Sequence, residues 1–132
     1  MSAVESHAAS PLYERMGGEP ALRLVIDDFV DRVFSDIMIG FLFRDADRAR
    51  IKQLEFEHAS EFLGGPAQYT GRSMGAAHAR HRISTGQFGR RIQLLRQVCA
   101  AHGVPEDVQR AWLTHNESLR DQVIRGDAGE CD

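Results

Sequence analysis

The sequence predicts an all-α domain, and three observations support this fold class. Apolar residues recur at three- and four-residue intervals in several stretches, as they do between Leu22 and Phe34. No stretch shows the strict alternation of apolar and polar residues that marks a half-buried strand. Glycine and proline separate the periodic stretches, for example at Gly17-Gly18 and at Gly64-Gly65-Pro66. With 132 residues, 42% of them hydrophobic, the chain can bury a core that shields a sizeable cofactor.

The first third of the chain is predicted to form two helices and a corner. Residues 1–10 show no periodicity, so we expect a disordered tail there. A short helix over residues 11–15 should end at the glycines that follow. A helix of about four turns should begin near Pro20, because the apolar residues after it share one face. Residues 37–43 are dense in apolar side chains but too few for a long helix, which favours a corner.

Three longer helices and a short segment are predicted next. Either Asp45 or Asp47 can cap a helix that runs to Leu63. Residues 74–81, between two glycine-containing connections, are enough for only two helical turns. A helix over about residues 87–102 should end at a glycine, and the next proline should start the last helix.

These elements form one predicted domain, over residues 11–126, with a frayed tail at 127–132. The net charge of −3 gives no reason to expect a nucleic-acid partner or an anionic membrane partner. No apolar run approaches the roughly 20 residues needed to span a bilayer, and the N-terminus does not resemble a secretory signal. We therefore expect a cytoplasmic protein. Cys99 lies in an apolar helical pattern and is interpreted as a buried structural thiol.

One stripe on the helix ending at Leu63 places ionisable residues among apolar ones. Ile51, Glu55, His58 and Phe62 recur at helical spacing, so Glu55 and His58 lie one turn apart on an apolar face. Burying two such groups costs several kcal/mol unless a partner compensates them. They either bond to each other or sit at the rim of the face, or else at least one of them faces a cofactor or bound metal.

Two histidines lie on the short segment before the next helix. A short helix between flexible connections is suited to presenting one side chain to something bound in the core, and the candidate is His78. His81, beside two arginines, is interpreted as facing solvent. His115 is interpreted as structural, and Arg90-Arg91 as a solvated face.

A metal centre bound directly by side chains is one possible role for these glutamate and histidine residues. Glu55 and His58 have the Glu-x-x-His spacing by which helical bundles hold di-iron or di-manganese centres. His78 and His81 would add two nitrogen ligands one turn apart. The predicted protein would then be an oxidase or oxygenase that uses iron or manganese to activate dioxygen.

A longer motif carries a family resemblance. The pattern GGP-x-x-Y-T-G-R-S-M-x-x-A-H, with Ile83 and Phe88 spaced beyond its histidine, resembles the truncated haemoglobins, above all their first group. The Leu-Tyr-Glu-Arg at residues 12–15, the glycines after it, and Phe29 extend the resemblance over about residues 11–124. It implies a two-over-two helical sandwich around haem b, with His78 as the proximal iron ligand.

The resemblance also assigns the other residues around the haem. It implies that Val30, Ile51, Glu55 and His58 surround the free side of the iron, with His58 able to close its sixth position. Further haem contacts are expected from Phe43, Phe62, Ile83 and Phe88.

The sequence departs from the family at the free side of the iron. Family members commonly carry a tyrosine where Val30 stands, and glutamine or leucine at the positions of Ile51 and Glu55. Valine donates no hydrogen bond and an ionised glutamate only accepts, so the usual donors to bound dioxygen are missing. Glu55 could instead move a proton to and from bound peroxide.

The leading hypothesis is therefore a haem protein that binds a diatomic ligand or peroxide and performs redox or sensing work. As an enzyme it would be a peroxidase-like or nitric oxide dioxygenase-like oxidoreductase, with a reductase as its partner. The non-haem enzyme is the first alternative. The second is a globin-like sensor or interaction module without turnover.

Overall fold

The computed structural model describes residues 11–72 and 83–124, which form five α-helices and one 3-10 helix. The α-helices are α1 (Pro11–Arg15), α2 (Gly18–Ser35), α3 (Arg48–Leu63), α4 (Thr85–Ala101) and α5 (Glu106–Ser118). The 3-10 helix, Gly40–Phe43, forms the predicted corner, and residues 120–124 are helical again after a turn at Leu119. The predicted tails at 1–10 and 127–132, and the segment 74–81 with His78 and His81, lie outside the described residues.

The helices pack as two pairs, which confirms the two-over-two sandwich. Helix α2 packs along α3, and α4 packs along α5. The two pairs meet where α2 crosses α4 and where α3 touches α5. Helix α2 lies at the centre because its apolar face is continuous: Leu22, Val25, Ile26, Phe29, Val30 and Val33 are all buried. The prediction of an all-α fold is therefore correct.

Local sequence explains where α3 and α4 begin and end. The side chain of Asp47, one of the two predicted caps, accepts a hydrogen bond from the Arg50 N–H at 3.3 Å. Gly64 ends α3 with a φ of 92°, a left-handed conformation that glycine adopts without steric cost. Helix α4 begins at Thr85, two residues before the predicted start, because Ser84 and Gln87 form a capping box that was not foreseen.

The core confirms the prediction for the cysteine on α4. Tyr13 and Trp112 are also buried in it. Cys99 is fully buried, and burial raises the pKa of its thiol to about 12, so this thiol is inert at neutral pH. Within the described residues, no helix is long and apolar enough to cross a membrane.

Candidate functional site

A cavity of about 280 Å³ lies between α3, α4, the corner and the last helical residues. Most of its wall is apolar, and two phenylalanine rings, Phe43 and Phe88, take part in it. Its polar residues come from α3, from the loop after α3, and from α4 and α5: Glu55, His58, Tyr69, Arg72, Gln87, Arg91 and Asn116. An apolar cavity with a few convergent polar groups is the usual form of a cofactor or ligand site.

The cavity brings together most of the residues that the sequence singled out. Ile51, Glu55 and His58 all line it, so the stripe on α3 does face a site. The predicted contacts Phe43, Ile83 and Phe88 also lie in its wall.

Two of the predicted contacts lie elsewhere among the described residues. Val30, on the buried face of α2, is 1% exposed and packs in the hydrophobic core rather than in the cavity wall. Phe62 is one turn beyond His58 on α3 and lines a second, more open cavity. His58, Tyr69 and Leu119 line both cavities and therefore separate them.

An ion pair crosses the first cavity from α3 to α4. Both carboxylate oxygens of Glu55 accept hydrogen bonds from Arg91, whose Nη1 and Nη2 lie 2.8 and 3.1 Å away. Arg91 Nη2 also donates to Asn116 Oδ1 at 3.1 Å, and Asn116 Nδ2 donates to the Trp112 carbonyl at 3.0 Å. Each side chain of the ion pair is 25% exposed. The pair is bidentate, which fixes the orientation of both groups.

The arginine pair on α4 is therefore not a solvated face, and that interpretation is wrong. Arg91 turns into the cavity, and Arg90 binds Asp36, whose side chain is only 4% exposed. The other oxygen of Asp36 accepts the N–H groups of Met38 and Ile39, so this aspartate holds the corner against α4. The bonds from Arg90 lower the pKa of the Asp36 carboxyl.

Four aromatic rings pack together beside the second cavity, and two of them, His58 and Tyr69, also line the first. The His58 ring meets Tyr69 edge-on at 5.4 Å and stacks on His115 at 5.5 Å. His115 stacks in turn on Phe62 at 4.1 Å, and both of these rings line the second cavity only. Burial lowers the pKa of both His58 and His115, which favours neutral imidazoles.

The loop after α3 is held down by side chains of α3. Glu57 is 8% exposed, and its Oε1 accepts bonds from the N–H and the hydroxyl of Thr70 at 2.9 and 2.7 Å. Its Oε2 accepts a bond from Gln53 at 2.9 Å, and Glu61 accepts the Tyr69 N–H at 2.7 Å. The hydrogen bonds from Gln53 and Thr70 lower the pKa of Glu57. Together with the bond to Glu61, they hold Tyr69 at the cavity wall.

The four-ligand non-haem centre stays a prediction. Both oxygens of Glu55 are engaged by Arg91. The described part of the chain contains no group of three or more His, Cys, Asp or Glu residues that could hold a metal ion, but His78 and His81 lie outside that part.

The sequence contained a signal for the polar residues that were missed. Arg91 lies three residues after Phe88 and four before Leu95, both of which are buried, so it falls on the apolar stripe of α4. Asn116 lies four residues after Trp112 on the corresponding stripe of α5. A charged or amide residue on an apolar stripe usually has a partner. Glu55 has the same placement on the apolar stripe of α3.

The chain matches one family model, described as "Bacterial-like globin", over residues 11–125. It is 31% identical over 119 residues to a group 1 truncated hemoglobin of Mycolicibacterium paratuberculosis, covering 90% of this chain and 88% of that protein. It is 33% identical over 103 residues to a group 1 truncated hemoglobin of Synechocystis, covering 75% of this chain and 83% of that protein.

Solved structures match the fold as well. The truncated hemoglobin of Tetrahymena pyriformis in its Fe(III) form gives a TM-score of 0.80 at 25% identity, covering 86% of this chain and 97% of that one. The 2/2 hemoglobin of a Synechococcus species, in the cyanomet state with covalently attached heme, gives 0.79 at 26% identity, covering 86% and 98%. The stretch that the family model matches, residues 11–125, includes all five helices and every residue of the cavity wall.

Proposed function

Because this chain belongs to the bacterial-like globins, and among them to the group 1 truncated haemoglobins, we propose that its cavity binds haem b for redox or sensing work on a small ligand. The ligand would be a diatomic gas or a peroxide. The observation that carries the proposal is the apolar cavity between α3 and α4, into which one polar cluster projects.

The residues of the cavity fit a haem chemically. A porphyrin is a broad apolar plane with two carboxylates at one edge, and most of the cavity wall is apolar. Phe43 and Phe88 can pack on such a plane, and Arg72 can pair with a carboxylate. The family motif supports His78 as the ligand of the iron.

Bound haem would supply an iron that can hold a small ligand and change its oxidation state. The chain supplies the groups that meet that ligand. Glu55, whose two oxygens accept hydrogen bonds from Arg91, can move a proton to and from a protic ligand such as hydrogen peroxide. His58, whose pKa is lowered mainly by burial, is a neutral base at the wall of the same cavity.

The cavity lacks the family's usual donors to dioxygen, which favours redox or sensing work over oxygen storage. The position of the common tyrosine holds Val30, an apolar core residue. The positions where the family commonly has glutamine or leucine hold Ile51, which donates no hydrogen bond, and Glu55, whose carboxylate is an acceptor.

Haem titration of two histidine variants tests the proposal. We expect His78→Ala to abolish or severely weaken haem retention, whereas the matched control His81→Ala should leave it nearly intact. A protein that keeps full haem after His78→Ala would refute the assignment. If His78→Ala, His81→Ala and Glu55→Ala all lowered the content of a non-haem metal together, the four-ligand centre would replace it.

A further inference from the structure

Arg91 is the cationic group that the cavity presents beside Glu55. We infer that Arg91 selects the ligands of this cavity: it donates hydrogen bonds to a small anion, so that anions are favoured over neutral diatomic gases. This inference rests on the proposed haem function and names a ligand class for the same site. It also gives the site a donor in place of the family's missing ones.

The guanidinium has donors to spare. An arginine carries five N–H donors and no acceptor. Within the described residues, three donors are used, two toward Glu55 and one toward Asn116. One N–H on Nη1 and the N–H on Nε are therefore available to a ligand in the cavity that Arg91 lines.

Arg91 is held in place before any ligand arrives. Asn116 is 3% exposed and is oriented by its own bond to the Trp112 carbonyl, so it is a fixed acceptor for Nη2. Glu55 holds the guanidinium from α3, and the Phe29 ring lies 4.9 Å from its central carbon. A donor that is already ordered loses little conformational entropy when it binds a ligand.

The surroundings of Arg91 also favour an anion. The cavity walls around its guanidinium are mostly apolar, so electrostatic interactions there are less screened than in water. A small anion therefore gains from the available N–H groups of Arg91, whereas a neutral gas gains little from the charge of the guanidinium.

Azide titration of the ferric, haem-loaded protein at pH 7 tests the inference, with the shift of the Soret band as the readout. We expect Arg91→Leu to weaken azide binding by about ten- to a hundredfold, as the loss of a hydrogen bond to a charged group does. The matched control is Arg96→Leu, which removes the same charge from an exposed position on α4 and should change the affinity less than about twofold.

Two further measurements separate ligand selection from a structural role. Carbon monoxide binding to the ferrous protein should change little in Arg91→Leu, because that ligand is neutral. Glu55→Gln should tighten azide binding, since it removes the competing negative charge while the amide oxygen of the glutamine and Asn116 still accept hydrogen bonds from Arg91. Glu106→Gln, the same change at an exposed position on α5, is its control. If Arg91→Leu fails to fold, Arg91→Lys and Glu55→Gln still decide the question.

The experiments distinguish failure of the role of Arg91 from failure of the proposed haem function. Absence of a Soret band after haem addition would refute the haem function itself. A normal Soret band, with equal azide affinity in the wild type, Arg91→Leu and Arg91→Lys, would overturn only the role of Arg91. So would a loss of haem retention in Arg91→Leu without any change in the azide affinity of the loaded fraction, since Arg91 would then bind the haem carboxylates.

Discussion

Replacing Glu57 by leucine removes the buried carboxylate whose hydrogen bonds hold the loop carrying Tyr69 against α3. Glu57 is 8% exposed, and its two oxygens accept three hydrogen bonds, two from Thr70 and one from Gln53. Leucine has a similar size but offers no acceptor. The variant therefore tests the bonds rather than the packing.

The size of the effect follows from where the donors lie. The Gln53 donor is half-buried, so the loss of its bond to a charged acceptor should cost about 1.5–3 kcal/mol. Thr70 is exposed, so water can replace the carboxylate, and its two bonds together should add about 0.5–1.5 kcal/mol. We expect Glu57→Leu to lower the free energy of unfolding by about 2–4.5 kcal/mol.

Urea unfolding followed by circular dichroism measures this, with Glu61→Leu as the matched control. Glu61 lies one turn further on the same helix, is exposed, and accepts one bond from the same loop, from the Tyr69 N–H. Its replacement should cost about 0.5–1 kcal/mol. If Glu57→Leu cost no more than Glu61→Leu, the loop would not be held by the buried carboxylate.

Three further predictions concern stability. Gly65→Ala should cost about 1–3 kcal/mol in thermal unfolding, because its Cβ would lie 2.5 Å from the Tyr13 ring, whereas Gly89→Ala on exposed helix, with nothing within 4 Å, should stabilise by about 0.5–1 kcal/mol. Asp36→Asn should lower the unfolding free energy by about 2–3 kcal/mol, as its bonds to a guanidinium weaken; an unchanged urea midpoint would contradict this. The pKa values of Asp36 and Glu57 are lowered on folding, so the unfolded chain binds more protons in acid. Stability should therefore fall as the pH drops below about 4.5, and less steeply in Glu57→Leu than in the wild type.

The helical spacing of apolar residues, and the glycines and prolines between the helices, predicted the fold because both depend on local sequence. The stripe on α2 and the glycines that end α3 specify the helices and their boundaries, and the same periodicity placed Ile51, Glu55 and His58 on the face that lines the cavity. The start of α4 was missed because its Ser84 cap precedes the first apolar residue of the stripe by four positions.

The partners of the site residues could not be predicted because they come from distant parts of the chain. Glu55 meets Arg91, 36 residues later, only because α3 and α4 both form walls of the cavity. His115 reaches His58 where α3 contacts α5. Val30 was placed at the iron by resemblance alone, whereas its side chain packs in the core, since its position on α2 belongs to the continuous buried face.

An absorption spectrum of the freshly purified protein, paired with elemental analysis, tests the central claim most directly. The haem assignment predicts an intense Soret band and one iron per chain, and the visible bands would show whether His58 closes the sixth position. Absence of a Soret band, with one or two iron or manganese ions per chain, would contradict it and favour the centre built on Glu55, His58, His78 and His81. A folded protein that contains neither haem nor metal and takes up no added haem would leave a globin-like module without turnover.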